Sequence, residues 1–308
     1  MTPFRSGFAA VVGRPNVGKS TLVNAMVGEK VTITARAPHT TRGALRAVVN
    51  RPGAQLVLVD TPGLHRPRTA LGARMNEAAA ASLADLDAVV AVLDATAGIG
   101  PGDRMVLERA VRAAPGLVAV VVNKVDRARR AEVAARLAEA AGQVDEMVRA
   151  SDGGPAPAST EYFPVSARTG EGVAELLSVL VDHLPEGPAL FPEGMVRELS
   201  EASWVAELVR EELLSRVEDE LPHSIACRVT EWEWPRVRCE IVVERDSQKG
   251  IVIGRGGRLL KAVGTAVRAR LPEGAFLELF VRVEPRWQRR DDALDRLGIG
   301  PGPEVAPG

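Results

Sequence analysis

Between an apolar run at residues 8–12 and a helical pattern from Lys19 to Val27 stands the octapeptide Gly13-Arg14-Pro15-Asn16-Val17-Gly18-Lys19-Ser20. It matches G-x-x-x-x-G-K-[ST] in full and lies at the strand-to-helix turn that this motif requires. Such a loop wraps phosphate groups in backbone N–H donors at a helix N-terminus. The chain must therefore supply a strand to launch the loop and a helix to receive it. In this reading Lys19 reaches terminal phosphates and Ser20 coordinates Mg²⁺, with Thr21 next along the helix.

The residues that follow continue the theme. Residues 45–50 and 55–60 read as strands joined around Pro52 and Gly53, and 88–94, 117–122 and a run ending at Val165 as buried strands. Residues 70–83, 103–114, 128–149 and 172–183 read as helices. Strands that are apolar throughout and alternate with helices predict a parallel sheet covered on both faces. With 308 residues the chain has room for about two domains. Residues 184–195 hold three prolines and two glycines and read as a linker, and 151–160 as a surface loop.

Asp60-Thr61-Pro62-Gly63 closes an apolar strand, where Asp60 would meet Mg²⁺ through water and the Gly63 N–H would sense a γ-phosphate. Asn123-Lys124-Val125-Asp126 follows the strand 117–122. The Asp126 carboxylate can accept from the N1–H and exocyclic amine of guanine, a donor pair that adenine lacks. Lys124 would lie beside the base and Asn123 would brace the loop. Ser166-Ala167-Arg168 reads as the remaining base-facing loop, with a backbone N–H toward the base oxygen. Residues 38–42 hold a threonine to complete the Mg²⁺ shell, Thr41 or else Thr40, unless these only cap the next strand.

The second half has a different order, an amphipathic helix over 197–218, strands at 224–231 and 236–244, two helices around Gly254-Arg255-Gly256-Gly257, and a strand at 275–284. That glycine turn fits a G-x-x-G loop that clamps a nucleic-acid backbone. Residues 245–270 carry seven basic residues and one acidic, whereas 197–220 carry three basic and eight acidic. The whole chain has 39 basic and 40 acidic side chains, so any RNA surface must be local. Lys249, Arg255, Arg258 and Lys261 surround the loop, and Ile251 and Ile253 line a groove floor or belong to the core. Trp232 and Trp234 either stack on bases or pack in their turn, and Arg286, Arg289 and Arg290 beside Trp287 are candidates for contact with RNA or an anionic membrane surface. Cys227 and Cys239 read as small strand hydrophobes, which excludes a disulfide framework and points to a reducing, cytoplasmic setting. No apolar run reaches the roughly 18 residues of a membrane helix, and Phe8 to Val12 is too short for a signal peptide.

The motifs GRPNVGKS, PHTTR, DTPGLH, NKVD and SAR, in this order, resemble those of TRAFAC-class translation-factor GTPases. With ERDSQKGIVIGRGG and the C-terminal pattern, the chain resembles the Era family over about residues 4–297. The resemblance implies an α/β, Ras-like GTPase domain with a mostly parallel sheet at 1–183, a linker at 184–196, an α+β type II KH domain at 197–290 and a tail at 291–308. It implies GTP and GDP as ligands with Mg²⁺, held by Ser20, Thr41 and Asp60, and slow hydrolysis carried by Lys19, Thr41, Asp60 and Gly63. It also implies binding of the 3′ end of 16S rRNA and of the 30S subunit, a role in 16S rRNA processing and small-subunit biogenesis, and peripheral membrane contact. A monomer is expected. The alternative is a non-catalytic nucleotide-binding module whose KH domain takes a protein.

Two positions depart from common GTPase patterns. Leu64 follows Gly63 where many GTPases carry a water-orienting glutamine, and the loop 151–160 is long and proline-rich. Related GTPases with an asparagine at the place of Asn16 use potassium, so Asn16 either holds that ion against the phosphates or braces its loop.

Overall fold

The computed structural model describes residues 3–35, 45–61, 69–81, 86–113, 116–151, 156–217 and 221–299. These group into two compact units, one ending at Glu198 and one beginning at Leu199, with 33–35 and 69–74 grouping with the second.

The first unit holds a six-stranded sheet in the order β2-β3-β1-β4-β5-β6. The strands are β1 (Arg5–Gly13), β2 (Leu45–Arg51), β3 (Ala54–Asp60), β4 (Ala88–Asp94), β5 (Leu117–Asn123) and β6 (Ser159–Val165). All neighbours run parallel except β2 and β3, which form an antiparallel hairpin through Pro52 and Gly53, the latter in the left-handed region at φ 76°. Its helices among the described residues are α1 (Lys19–Val27), α2 (Ala70–Ala81), which joins this unit from Met75 on, α3 (Pro101–Ala113), α4 (Arg130–Ala150) and α5 (Val173–Asp182). Successive strand side chains point to opposite faces, so each central strand feeds two cores. Ala9, Val11, Val90, Val92 and Val121 pack with Leu22, Val23 and Met26 of α1 and Leu176 and Leu180 of α5. Ala10, Val12, Val89, Ala91 and Val120 pack with Val106 and Leu107 of α3 and Ala140 and Val144 of α4. That double burial is why these strands are continuously apolar.

Residues 184–198 are fastened to this unit. Leu184 and Pro188 carbonyls accept from Arg5 and Ser6, and buried Gln55 receives the N–H groups of Leu190 and Phe191 at 2.7 and 2.8 Å. Val48 N–H donates to Val196 O and Glu198 N–H to Arg46 O, which places this segment along the outer edge of β2. The long helix of the second unit consequently starts later than the periodicity suggests. It is α6 (Glu201–Leu214), capped by the Ser200 hydroxyl, which accepts from Ser203 N–H at 3.2 Å.

The second unit adds β7 (Ala226–Glu233), β8 (Arg236–Val243), α7 (Asp246–Ile253), α8 (Arg258–Arg268), β9 (Phe276–Val283) and α9 (Asp291–Arg296). Its sheet has the order β7-β8-β9, with β7 and β8 antiparallel and β8 and β9 parallel. Val237, Cys239, Ile241 and Val243 face Val205, Val209 and Leu213 of α6 and Val263 and Val267 of α8. Cys239 is buried there, which pushes its thiol up to about 12 and leaves it unreactive, and Cys227 is half-buried. Trp287 is fully buried and its indole N–H donates to Ser224 O at 3.1 Å, so it serves the core, and Arg290 is engaged by Glu284 and Asp292. Helix α9 lies within residues 291–308, which the resemblance implies to be a tail.

Candidate functional site

The register of the parallel strands brings the nucleotide motifs to one edge. Val11 lies opposite Asp60, Gly13 opposite Val92, and Asn123 opposite both Asp94 and Val165. The loops after β1, β3, β4, β5 and β6 all leave from this carboxyl end, where open α/β sheets bind ligands.

The phosphate loop turns through two left-handed residues, Asn16 at φ 65° and Gly18 at φ 99°. Gly18 is required twice over, because a Cβ there would also sit 2.4 Å from Asn123 Nδ2. Lys19 is buried and donates to the carbonyls of Gly13 and Arg14, each at 3.0 Å, curling over the loop. Burial lowers its pKa while Asp60 pulls it back up. Arg14 is exposed and pairs with Asp103 at 2.9 Å, Pro15 and Thr21 are half-buried, and Val17 is in the core.

Asp60 is fully buried, and its Oδ2 accepts from Ser20 Oγ at 3.0 Å and from Thr32 Oγ1 at 3.2 Å. A carboxylate beside a hydroxyl is a hard oxygen set that suits Mg²⁺, an ion which takes one or two protein oxygens and completes its shell with water and substrate phosphates. Among the described residues no cluster of three or more His, Cys, Asp or Glu could hold a metal ion. Thr61 Oγ1 donates to Val11 O at 2.9 Å. Pro62, Gly63, Leu64, Thr40 and Thr41 lie outside the described residues.

Asn123 joins three loops. Its Nδ2 donates to Val17 O at 2.8 Å, and its Oδ1 accepts from Ala167 N–H at 3.0 Å. Lys124, left-handed at φ 69°, donates to Asn16 O and to Asp94 Oδ2, both at 2.6 Å. Burial raises the Asp94 pKa, but its bonds from Lys124 and Thr96 carry it below the usual range. Val125 opens a short turn of helix, and Asp126 follows. The Asp126 carboxylate accepts from Ser166 Oγ at 2.6 Å and from Arg168 Nε and Nη2 at 2.9 and 2.5 Å. The Ser166 bond first, then Arg168, holds its pKa below the usual carboxylate value. The group therefore presents only acceptors at neutral pH.

Thr32 and Asp94 escaped the sequence reading. Thr32 sits in a short alternating run with no motif, yet Asn24 Oδ1 accepts from the Val31 and Thr32 N–H groups and so fixes it beside Asp60. Asp94 carried one usable signal, its place at the end of an apolar strand between two motif strands.

In the second unit, α7 and α8 are joined by Gly254, Gly256 and Gly257 at φ 73°, 62° and 75°, with Arg255 between them. A Cβ on Gly254 would lie 2.8 Å from that of Leu259, whereas Gly256 and Gly257 have open space. Arg255, Arg258 and Lys261 are exposed and Lys249 is half-buried. The two isoleucines part company, since Ile251 is exposed and Ile253 packs on the core with Leu259.

A P-loop unit whose sheet edge gathers these four motifs, followed by an α-β-β-α-α-β unit with an open glycine turn, defines a GTPase joined to a KH domain. Comparison with known families agrees. The model described as a 50S ribosome-binding GTPase matches residues 8–124, and the KH domain model matches 220–288. GTPase Era of Mycobacterium sp. (strain KMS) is 45% identical over 97% of this chain and 100% of its own length. A crystal structure of Era in complex with MgGDPNP and nucleotides 1506–1542 of 16S ribosomal RNA is 34% identical, with a TM-score of 0.85 over 96% of this chain and 99% of that one. Aquifex aeolicus Era bound to GDP and AlF4⁻, also 34% identical, aligns with a TM-score of 0.84 over 96% of this chain and 100% of that one. The chain belongs to the Era family of GTPases.

Proposed function

We propose that this protein is an Mg²⁺-dependent, GTP-hydrolysing switch that binds the 3′ region of 16S rRNA and acts in rRNA processing and assembly of the 30S subunit. The observation that carries it is the pairing, in one chain, of an acceptor-only carboxylate at Asp126, at the sheet edge that gathers the nucleotide motifs, with an open, basic glycine turn at 254–257. The Era relative solved with MgGDPNP and a 16S fragment supports the same ligands here. Backbone N–H groups of residues 13–20 cradle the phosphates, Lys19 moves from its carbonyl partners to terminal phosphate oxygens, and Asp126 with the Ala167 region reads the base. Ser20 and Asp60 hold Mg²⁺, with Thr41 completing the set, and the ion neutralises phosphate charge when bound. Gly254, Gly256 and Gly257 let an RNA backbone approach, with Lys249, Arg255, Arg258 and Lys261 around it and exposed Ile251 against a base.

Among the described residues no helix is long and apolar enough to cross a membrane. We place the protein in the cytoplasm as a monomer, with at most peripheral contact with anionic lipid. The basic surround of the glycine turn favours RNA over a protein ligand at that turn. The test is binding of a labelled oligonucleotide with the 16S 3′-terminal sequence to the protein loaded with a non-hydrolysable GTP analogue. Tight binding that a scrambled sequence lacks supports the proposal, and equal affinity for both contradicts the rRNA assignment.

Hydrolysis proceeds without a glutamine after Gly63, so charge in the transition state needs another partner. Asn16 is exposed on the phosphate loop, which suits a cation-holding role better than a brace. Low intrinsic turnover is expected to rise when KCl replaces NaCl at equal ionic strength. Asn16→Ala should remove that difference and leave nucleotide binding largely intact. Equal turnover of the unaltered protein in the two salts would exclude a potassium role.

A further inference from the structure

Among the described residues six large apolar side chains are exposed, namely Phe4, Leu190, Trp232, Trp234, Ile251 and Phe276. Three of them lie at one end of the β7-β8-β9 sheet, the two tryptophans together and Phe276 on the opposite face, because Phe276 pairs with Arg236 whereas Trp232 pairs with the buried Val237. Trp232 lies near the end of β7 and Trp234 in the turn to β8, with ring centroids 6.4 Å apart and planes inclined by 33°. Phe276 opens β9 opposite Arg236, and its N–H donates to Pro235 O at 2.8 Å. The three rings are 41%, 49% and 54% exposed in that order. Rings of this size left in water forgo the burial that would stabilise the unit, and such clusters mark surfaces that meet a partner.

Charge decides which partner. Residues 231–238 and 273–278 carry four glutamates, Glu231, Glu233, Glu273 and Glu278, against two arginines, Arg236 and Arg238. Arg236 is already paired with Glu278, and Arg238 with Glu231. Glu231, Glu233 and Glu273 are exposed. The segment 245–270 of the same unit has the opposite sign, with seven basic residues and one acidic. Phosphates drawn to the glycine turn are repelled from the hairpin tip. We infer that the β7–β8 tip is a docking surface for a cationic polypeptide segment, whose Lys or Arg side chains lie on the indole faces while Glu233 and Glu273 answer their charge. The sheet already shows this pairing on a small scale, with Arg238 Cζ 4.8 Å from the Phe280 ring centre.

The experiment uses the full chain labelled with ¹⁵N at its tryptophans, titrated with a deca-arginine peptide and followed by the indole N–H resonances. Trp287 is fully buried and serves as the internal control. The expected result is that the Trp232 and Trp234 signals shift and the Trp287 signal does not. Peptide affinity should fall about tenfold in W232S/W234S and several-fold in E233Q/E273Q. An unchanged Trp287 resonance in the variants reports that the fold is kept. The inference is overturned if neither indole responds, or if W232S/W234S binds the peptide as well as the parent. It is equally overturned if a decauridine shifts the two indoles more than the peptide does, which would make the tip an RNA surface. Dimerisation in sedimentation that W232S/W234S abolishes would overturn it too, with a second copy as the occupant.

Discussion

Asp126→Asn is expected to cost the protein its hold on GTP and to give it a preference for XTP. The carboxylate offers acceptors alone, held charged by Ser166 and Arg168. An amide at the same place turns one acceptor into a donor and sets it against the exocyclic amine of guanine. Xanthine carries a carbonyl oxygen there and accepts. Two hydrogen bonds to a charged group are worth roughly 3–6 kcal/mol together, or about a hundred- to ten-thousand-fold in affinity. Competition between labelled GTP and unlabelled XTP measures the exchange directly. GTP affinity that survives the substitution would mean that residues 123–126 do not read the base.

Gly256→Asp is expected to abolish RNA binding and leave GTP binding as it was. A left-handed aspartate at φ 62° carries a strain of about 1 kcal/mol, and a Cβ at this site meets no atom within 4 Å, so the fold should survive. What changes is the approach. A carboxylate now stands where an RNA phosphate would lie, in the middle of the basic segment 245–270. Filter binding with short single-stranded RNA, run beside a nucleotide-binding assay, separates the two outcomes. Parental RNA affinity in the variant would place the RNA elsewhere on the protein. Loss of GTP binding as well would point to unfolding.

The elements that the sequence announced most clearly are those whose side chains work alone. Strand β4 is legible at 88–94 because every residue but its last is buried, so the run is apolar up to Asp94, and Asp87 precedes it. The phosphate loop, the Asn123–Asp126 loop and the glycine turn were visible because each needs particular residue types at fixed spacing. What escaped depends on partners far along the chain. Residues 184–195 read as a linker by their prolines and glycines, yet the segment 184–198 is held by backbone bonds to β2 and by Gln55, a residue some 135 positions from Leu190. Those bonds also delay the start of α6. Helix α9 has six residues and only Ala293 and Leu294 turned inward, too short for a periodic pattern. Thr32 reached Asp60 through Asn24, a bridge that no local motif encodes.

The central claim, a GTP switch working on the 3′ end of 16S rRNA, is tested most directly by crosslinking the protein to RNA in living cells and sequencing the attached fragments. Reads should concentrate on the last few dozen nucleotides of 16S rRNA, and Gly256→Asp should remove that peak. Reads spread over unrelated RNAs, or a peak that persists in the variant, would contradict the claim.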